Sequence, residues 1–146
     1  MMESLLMKIK VGWSDGMSFI GTSDSGHQIV MDAPAEFGGL DKGPRPMEML
    51  LLGVGGCASF DVVHILKKSH QDITACVAEL IAKRVNQVPS VFESIDIHFK
   101  VTGRSLDPRK VERAVRLSAE KYCSASIMMG RAGVLIEHSH SIVESV

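Results

Sequence analysis

Residues 44–57 read Pro-Arg-Pro-Met-Glu-Met-Leu-Leu-Leu-Gly-Val-Gly-Gly-Cys. They open a nearly continuous apolar segment that runs to Lys68 and is too long for a strand. We therefore predict a mostly buried helix from Met47 to Lys68. Pro46 suits the first turn of this helix, because the N–H that proline lacks would be unpaired there in any case.

Three glycines interrupt this helix just before Cys57, at Gly53, Gly55 and Gly56. Each interior glycine destabilises a helix by about 1 kcal/mol relative to alanine. Such a cost is usually offset by a specific contact. We expect another backbone to approach the helix closely near Cys57.

Shorter patterned segments surround the helix. The alternation of apolar and polar residues from Ile95 to Val101 is typical of a sheet with one solvated face. Asp107-Pro108 is a typical helix start. The predicted strands are Met7–Trp13, Ser18–Ser23, His27–Met31, Ile73–Arg84, Phe92–Thr102 and Val134–Val143, and the further helices run from Asp107 to about Lys121 and from Ser126 to Arg131. This order indicates an α+β fold and not a parallel α/β wrap.

Length and composition limit the possible classes of protein. A chain of 146 residues with 45% hydrophobic residues suits one domain over residues 1–146. A net charge of −1 gives no basic footprint for nucleic acid. We find no apolar run near the ~20 residues of a membrane span, and residues 1–7 lack the regions of a signal peptide. We therefore expect a cytoplasmic protein that binds neither membrane nor nucleic acid.

The cysteines are the candidate chemical groups. There are three, Cys57, Cys76 and Cys123, an odd number that argues against a structural disulfide framework. Such thiols are core residues, metal ligands or redox groups, and Cys76, inside a strand pattern, is best interpreted as core. Cys57 and Cys123 can meet only if the fold brings them together, which is the layout of a two-cysteine redox centre.

Residues 44–57, together with Tyr122-Cys123-Ser124, resemble the OsmC/Ohr family, named for osmotically inducible protein C and organic hydroperoxide resistance protein. The resemblance extends from about Lys8 to Ile142 and is strongest to the YhfA-like branch. It implies the OsmC-like fold, with antiparallel sheets around a buried central helix. It also implies an intertwined homodimer with two sites at the subunit interface.

The resemblance implies a thiol-dependent hydroperoxide reductase that prefers organic hydroperoxides. The Cys57 thiolate would attack the peroxide, and the resulting sulfenic acid would condense with Cys123 to a disulfide. No metal or other cofactor is implied. A small dithiol or a protein thiol would supply the electrons.

The family also implies an arginine from the N-terminal part and a glutamate near the start of the buried helix as activating groups. Glu48 is the matching carboxylate, but nine residues at ~100° each place it on the opposite helix face from Cys57. It could reach the thiolate only across a subunit interface or through a bend. No arginine precedes Arg45, so either Arg45 supplies the cation or the site lacks this activation.

Two neighbours of Cys57 on its own helix are weaker candidates for activating its thiol. Asp61, four residues on, lies near but carries the wrong charge to lower a thiol pKa. His64 lies about 10 Å along the helix axis, beyond hydrogen-bond reach. We therefore do not expect a local Cys-Asp-His triad.

Two other classes of function remain open. A non-catalytic protein of the same fold would bind a small apolar or thiol-reactive ligand, with the cysteines as sensors. Metal binding through Cys123, His138 and His140 is the third possibility, although an exposed strand face explains the two histidines better.

Overall fold

A computed structural model of the protein describes residues 5–146. Its contacts divide the chain into two compact units, the first ending at Leu50 and the second comprising Leu51–Val146. The single domain over residues 1–146 stays a prediction.

The first unit is built on a three-stranded antiparallel meander. The strands are β1 (Lys10–Asp15), β2 (Ser18–Thr22) and β3 (Gln28–Met31), followed by a 3-10 turn at Ala35–Phe37. The three predicted strands are thus confirmed, although β1 begins three residues and ends two residues later than predicted, and β2 and β3 are each one residue shorter. Gly16, with φ of 54°, makes the tight turn between β1 and β2, a backbone conformation that glycine adopts readily.

Asp32 organises the loop that follows β3. It is 2% exposed, and its carboxylate accepts hydrogen bonds from the backbone N–H groups of Ala33, Leu40 and Lys42 at 2.7, 3.3 and 3.1 Å. The Ala33 N–H contributes most to lowering the pKa of Asp32 below its ordinary value. The loop therefore has its own fixed structure before the long helix begins.

The second unit places helices against a mixed sheet. Helix α1 (Pro46–Lys68) leads into it and is followed by strands β4 (Asp72–Arg84) and β5 (Phe92–Arg104), helix α2 (Pro108–Leu117), a π-helical turn (Ser118–Tyr122), helix α3 (Ser124–Arg131) and strand β6 (Leu135–Glu144). The sheet order is β4-β5-β6. The predicted elements agree with these bounds to within a few residues, except that the helix after Asp107 ends at Leu117.

The predicted antiparallel pairing holds for β1 to β3 and for β4 with β5, whereas β6 lies parallel to β5. Parallel strands require a long crossover connection. The segment between β5 and β6 supplies it, because α2, the π turn and α3 all lie within it.

The core of the second unit uses one face of each element. Alternate residues of β5 are fully buried, as its pattern predicts. The buried core side chains of this unit include Val54, Ala58, Val62 and Leu66 of α1, Ile95, Ile97, Phe99 and Val101 of β5, and Val111, Ala114 and Val115 of α2. Asp107 caps α2 by accepting a hydrogen bond from the Arg109 N–H at 2.9 Å.

Helix α1 is buried on one face only, which differs from the mostly buried helix that its composition predicts. Leu52 and Phe60 on its other side are 61% and 67% exposed. The expected close approach occurs at Gly55, where a Cβ atom would lie 3.0 Å from Leu80 Cδ1 of β4. A leucine side chain, and not another backbone, therefore explains this glycine, while Gly53 and Gly56 face open space.

The expectation that no apolar run approaches the length of a membrane span needs correction. By length and composition alone, α1 is long and apolar enough to cross a membrane. One helix of this kind is weak evidence for a membrane span, because core helices of soluble proteins and signal sequences meet the same test.

Candidate active site

Cys57, Asp61 and Cys123 form a compact side-chain cluster, in which the two sulfur atoms and a carboxylate oxygen all lie within 4.8 Å of one another. Cys57 and Asp61 are one turn apart on α1, and Cys123 lies at the break between the π turn and α3. All three cysteines are free thiols. The fold thus brings together two cysteines that are distant in sequence.

Cys123 occupies the N-terminal cap of α3. Its Sγ accepts a hydrogen bond from the Ser126 N–H at 3.4 Å, and its own N–H closes the π turn by donating to the Ser118 carbonyl at 2.9 Å. A π turn widens a helix locally and is frequent at functional sites. Here the π turn follows the end of α2, and α3 begins directly after Cys123.

Burial dominates the electrostatics of Cys123, whose side chain is 0% exposed. Burial raises the pKa of the Cys123 thiol, the hydrogen bonds from Ser126 oppose this, and the neighbouring Cys57 raises it further. A buried thiol of this kind remains protonated near neutral pH. Cys57, by contrast, is only half-buried.

Asp61 is held by a serine from the π turn. The Ser118 hydroxyl lies 3.3 Å from Asp61 Oδ2 and 3.3 Å from the Ala58 carbonyl oxygen, and can donate to either. Burial raises the pKa of Asp61, whereas Ser118 and His64 act in the opposite direction. The carboxyl group is therefore more easily protonated than an aspartate in water.

A cavity of about 480 Å³ opens beside Asp61. Its apolar walls include Phe60, Leu117 and Tyr122, and cationic side chains also line it. The lining residues are Phe60, Asp61, His64, Ile65, Lys68, Ser69, Arg113, Leu117 and Tyr122. His64 stacks on Phe60, with ring centroids 5.5 Å apart, and does not belong to the thiol cluster.

Arg45 and Glu48 interact with each other and with the loop of the first unit. Arg45 Nη1 pairs with Asp41 Oδ1 at 2.6 Å, and the Arg45 N–H donates to Glu48 Oε1 at 2.8 Å. The hydrogen bond to Asp41 raises the pKa of Arg45. Their expected role in activating Cys57 stays a prediction.

Cys76 and the C-terminal histidines lie outside the cluster. Cys76 is half-buried in β4, and burial raises the pKa of its thiol. The expected exposed strand face is wrong at His138, whose ring centroid lies 6.4 Å from that of Phe99 and whose Nε2 is buried without a hydrogen-bond partner in the described chain. Burial lowers the pKa of His138.

Two thiols and a carboxylate are also a ligand set that Zn²⁺ accepts, and three protein ligands are typical of a catalytic zinc site with an open position. Among the described residues the cluster offers three ligand groups, one fewer than the four protein ligands of a structural zinc site.

The model of the family described as OsmC-like protein matches residues 39–139. The chain belongs to this family. Over 137 residues it is 47% identical to Protein YhfA of Escherichia coli strain K12, a match that covers 94% of this chain and 98% of YhfA. The predicted family and its YhfA-like branch are thereby confirmed.

Solved structures share the fold, including that of an OsmC-like protein from Mycoplasma pneumoniae, which superimposes with a TM-score of 0.81 at 16% identity over 97% of this chain and 99% of that one. A hypothetical protein from Aquifex aeolicus VF5 superimposes with a TM-score of 0.84 at 29% identity, over 98% of this chain and 100% of that one. The organic hydroperoxide resistance protein OhrB of Bacillus subtilis gives a TM-score of 0.61 at 20% identity, over 94% and 98% of the two chains. These similarities confirm the predicted α+β OsmC-like fold.

By sequence Asp61 is only a weak candidate, and no sequence pattern marks Ser118 or Ser126 as part of the site. The spacing of four residues between Cys57 and Asp61 is a signal that both share one helix face. Nothing comparable links either of them to the segment around Ser118. That connection exists only in the folded chain.

Proposed function

We propose that this OsmC-like protein is a thiol-dependent hydroperoxide reductase in which Cys57 is the attacking cysteine and Cys123 the resolving cysteine. The observation that carries the proposal is the distance between their sulfur atoms, which is within 4.8 Å. Rotation of side chains over such a gap can close a disulfide, whose S–S length is about 2.0 Å.

The difference in burial supports this assignment of roles. Half-buried Cys57 can be reached by a peroxide, whereas Cys123 is enclosed. The Cys57 thiolate attacks one peroxide oxygen, the S–O bond forms, the O–O bond breaks, and the alkoxide leaves as an alcohol after taking up a proton. Cys123 then displaces the hydroxyl group as water and forms the disulfide. A small dithiol or protein thiol restores both thiols, and the cycle uses no cofactor.

The cavity beside Asp61 supports a preference for organic hydroperoxides. Phe60, Ile65, Leu117 and Tyr122 give it apolar walls. An alkyl or aryl group would bury apolar surface there, which hydrogen peroxide cannot do.

A second copy of the chain is the proposed cover for the exposed side of α1. Gly53 and Gly56 have open space above them, and Leu52 and Phe60 are exposed. Small residues let another backbone approach closely, and contiguous exposed apolar side chains mark an interface. We therefore propose that the protein forms the intertwined homodimer, resides in the cytoplasm and has no membrane or nucleic-acid partners.

One observation favours the alternative of a non-catalytic binding protein. Arg45, the candidate activating cation, is engaged in an ion pair with Asp41. If Arg45 does not act on Cys57, the same cavity could hold a small apolar or thiol-reactive ligand while the cysteines sense it.

The test is intact-mass measurement and peptide mapping after adding one equivalent of cumene hydroperoxide to the reduced protein. The expected result is loss of two hydrogens with Cys57 linked to Cys123, faster than with hydrogen peroxide. The Cys76→Ser variant is the matched control, because it removes the third thiol and should give the same product. Thiols that stay free while a control peroxidase is oxidised would reject the reductase and favour the binding protein.

A further inference from the structure

Asp61 is the titratable group that accompanies both thiols in the cluster found within the described residues. We infer that Asp61 is a catalytic residue of the resolving step, which takes the proton from the Cys123 thiol and gives it to the hydroxide that leaves Cys57. This inference rests on the proposed function and adds to it a proton carrier between the two sulfurs.

The step balances without any further reactant. The Cys123 sulfur gives an electron pair to the S–S bond, and its proton passes to Asp61. The S–O bond of the Cys57 sulfenic acid breaks with its electron pair on oxygen. Protonated Asp61 returns the proton to this oxygen, so one water leaves and the carboxylate is restored.

A base is needed because of where Cys123 lies. The thiol is enclosed, and burial keeps it protonated near neutral pH, whereas only the thiolate is a good nucleophile. Bulk hydroxide cannot reach an enclosed thiol directly. The proton must therefore pass to a group inside the cluster.

Asp61 has the position and the acidity for this task. A distance within 4.8 Å of both sulfurs permits proton transfer directly or through one water. Burial raises its pKa toward the working pH, which makes a carboxylate a more effective acid and base. The Ser118 hydroxyl of the π turn lies 3.3 Å from its Oδ2 and can donate to it, and Asp61 also lines the adjoining cavity.

The other titratable groups around Asp61 are less suited. His64 stacks on Phe60 outside the cluster. Lysine and arginine side chains offer no atom that accepts a proton, and a neutral tyrosine hydroxyl is a poor proton acceptor. Besides Asp61, the titratable groups that line the adjoining cavity are His64 and Lys68 of α1, Arg113 of α2 and Tyr122 of the π turn.

The experiment separates the two chemical steps in Asp61→Asn, with a chelator present so that metal loss cannot imitate the effect. Sulfenic acid formation is followed with a dimedone trap, and disulfide formation by rapid quench and intact mass. We expect the first step to stay within about threefold of wild type. The second should slow by about 10²-fold or more, which is the usual contribution of general acid–base catalysis.

Two further measurements distinguish proton transfer from a structural role. Formate should restore disulfide formation in Asp61→Ala, because a small carboxylic acid can enter through the cavity and replace the missing group. Ser118→Ala is the matched control, since it keeps the carboxylate and should lose less than about tenfold.

The outcomes separate this inference from the proposed function. If the wild-type protein forms no sulfenic acid, the proposed function fails. If the wild-type protein forms the disulfide and Asp61→Asn does so at the same rate, the proton-carrier role is overturned while the reductase stands. A slow Asp61→Ala that formate does not rescue would also overturn it.

Discussion

The thiol groups of Cys57 and Cys123 lie in opposite surroundings. Cys57 lies within a regular helix, half-buried and next to the exposed Gly56. Cys123 lies where the backbone changes from a π turn to α3, fully buried and bonded to the Ser126 N–H. Placement alone thus makes one thiol accessible and the other enclosed, which is the division that the proposed roles of attacking and resolving cysteine require.

Asp61 belongs to both regions. It shares the helix of Cys57, and Ser118 binds it from the turn that ends at Cys123. A movement of the π turn relative to α1 would change this hydrogen bond and the distance between the sulfurs together. Substitutions at each thiol and at the Asp61 carboxylate therefore test the proposed division of roles.

The largest expected effect comes from exchanging each thiol for a hydroxyl group. Cys57→Ser should lose catalytic peroxide consumption by more than about 100-fold, because the nucleophile is gone. Cys123→Ser should still consume one equivalent of peroxide and accumulate sulfenic acid, which then oxidises further. For both variants, the rate of peroxide consumption and the intact mass of the protein are measured.

Cys76→Ser should retain peroxide consumption within about twofold and serves as the control for loss of a thiol elsewhere. Equal behaviour of Cys57→Ser and Cys123→Ser would contradict the division of roles. If Cys123→Ser alone prevented the first oxidation, the two roles would be reversed.

A smaller effect is expected in the rate of alkylation of the reduced, native protein. Iodoacetamide should modify Cys57 at least about tenfold faster than Cys123, because the buried thiol reacts only after local opening and its thiolate fraction is low. Peptide mapping over time gives the two rates. Urea should abolish the difference, whereas equal rates in the native protein would show that Cys123 is not enclosed in solution.

The smallest effect concerns the pH dependence of folding stability at Asp61. Burial raises the pKa of this group in the folded state, so its contribution to stability is present below the unfolded pKa of about 3.9 and is lost as pH rises through the folded pKa. The free energy of unfolding of Asp61→Asn minus that of wild type should thus be larger at pH 7 than at pH 4, so the variant gains stability relative to wild type as pH rises. Solvent screening of this partly exposed group keeps the change small.

Urea titrations at the two pH values measure this difference. The Ser118→Ala variant keeps the Asp61 carboxyl group, so the free energy of unfolding of its Asp61→Asn double variant minus its own should also be larger at pH 7 than at pH 4. If Asp61→Asn instead lost stability relative to wild type as pH rises, the Asp61 carboxylate of the wild type would be stabilised in the folded protein. Asp61 would then be a poor proton carrier.

Much of the fold could be predicted because the relevant patterns are local. The apolar run after Pro46 predicted α1, and the alternation in residues 95–101 predicted β5 and its buried face. The parallel pairing of β6 could not be predicted from its own alternation, since both pairings present the same pattern. The loop fixed by Asp32 also depends on N–H groups up to ten residues away.

Sequence patterns are sufficient to predict the helices, the strands, the family and the two cysteines worth comparing. Tertiary packing, in contrast, brings their sulfurs together with Asp61, places the Ser118 hydroxyl within hydrogen-bond distance of this carboxylate, and buries Cys123. The physical reason is that periodicity and capping report on neighbours along the chain. Burial, and with it the acidity of a thiol or carboxylate, depends on which distant segments pack around it.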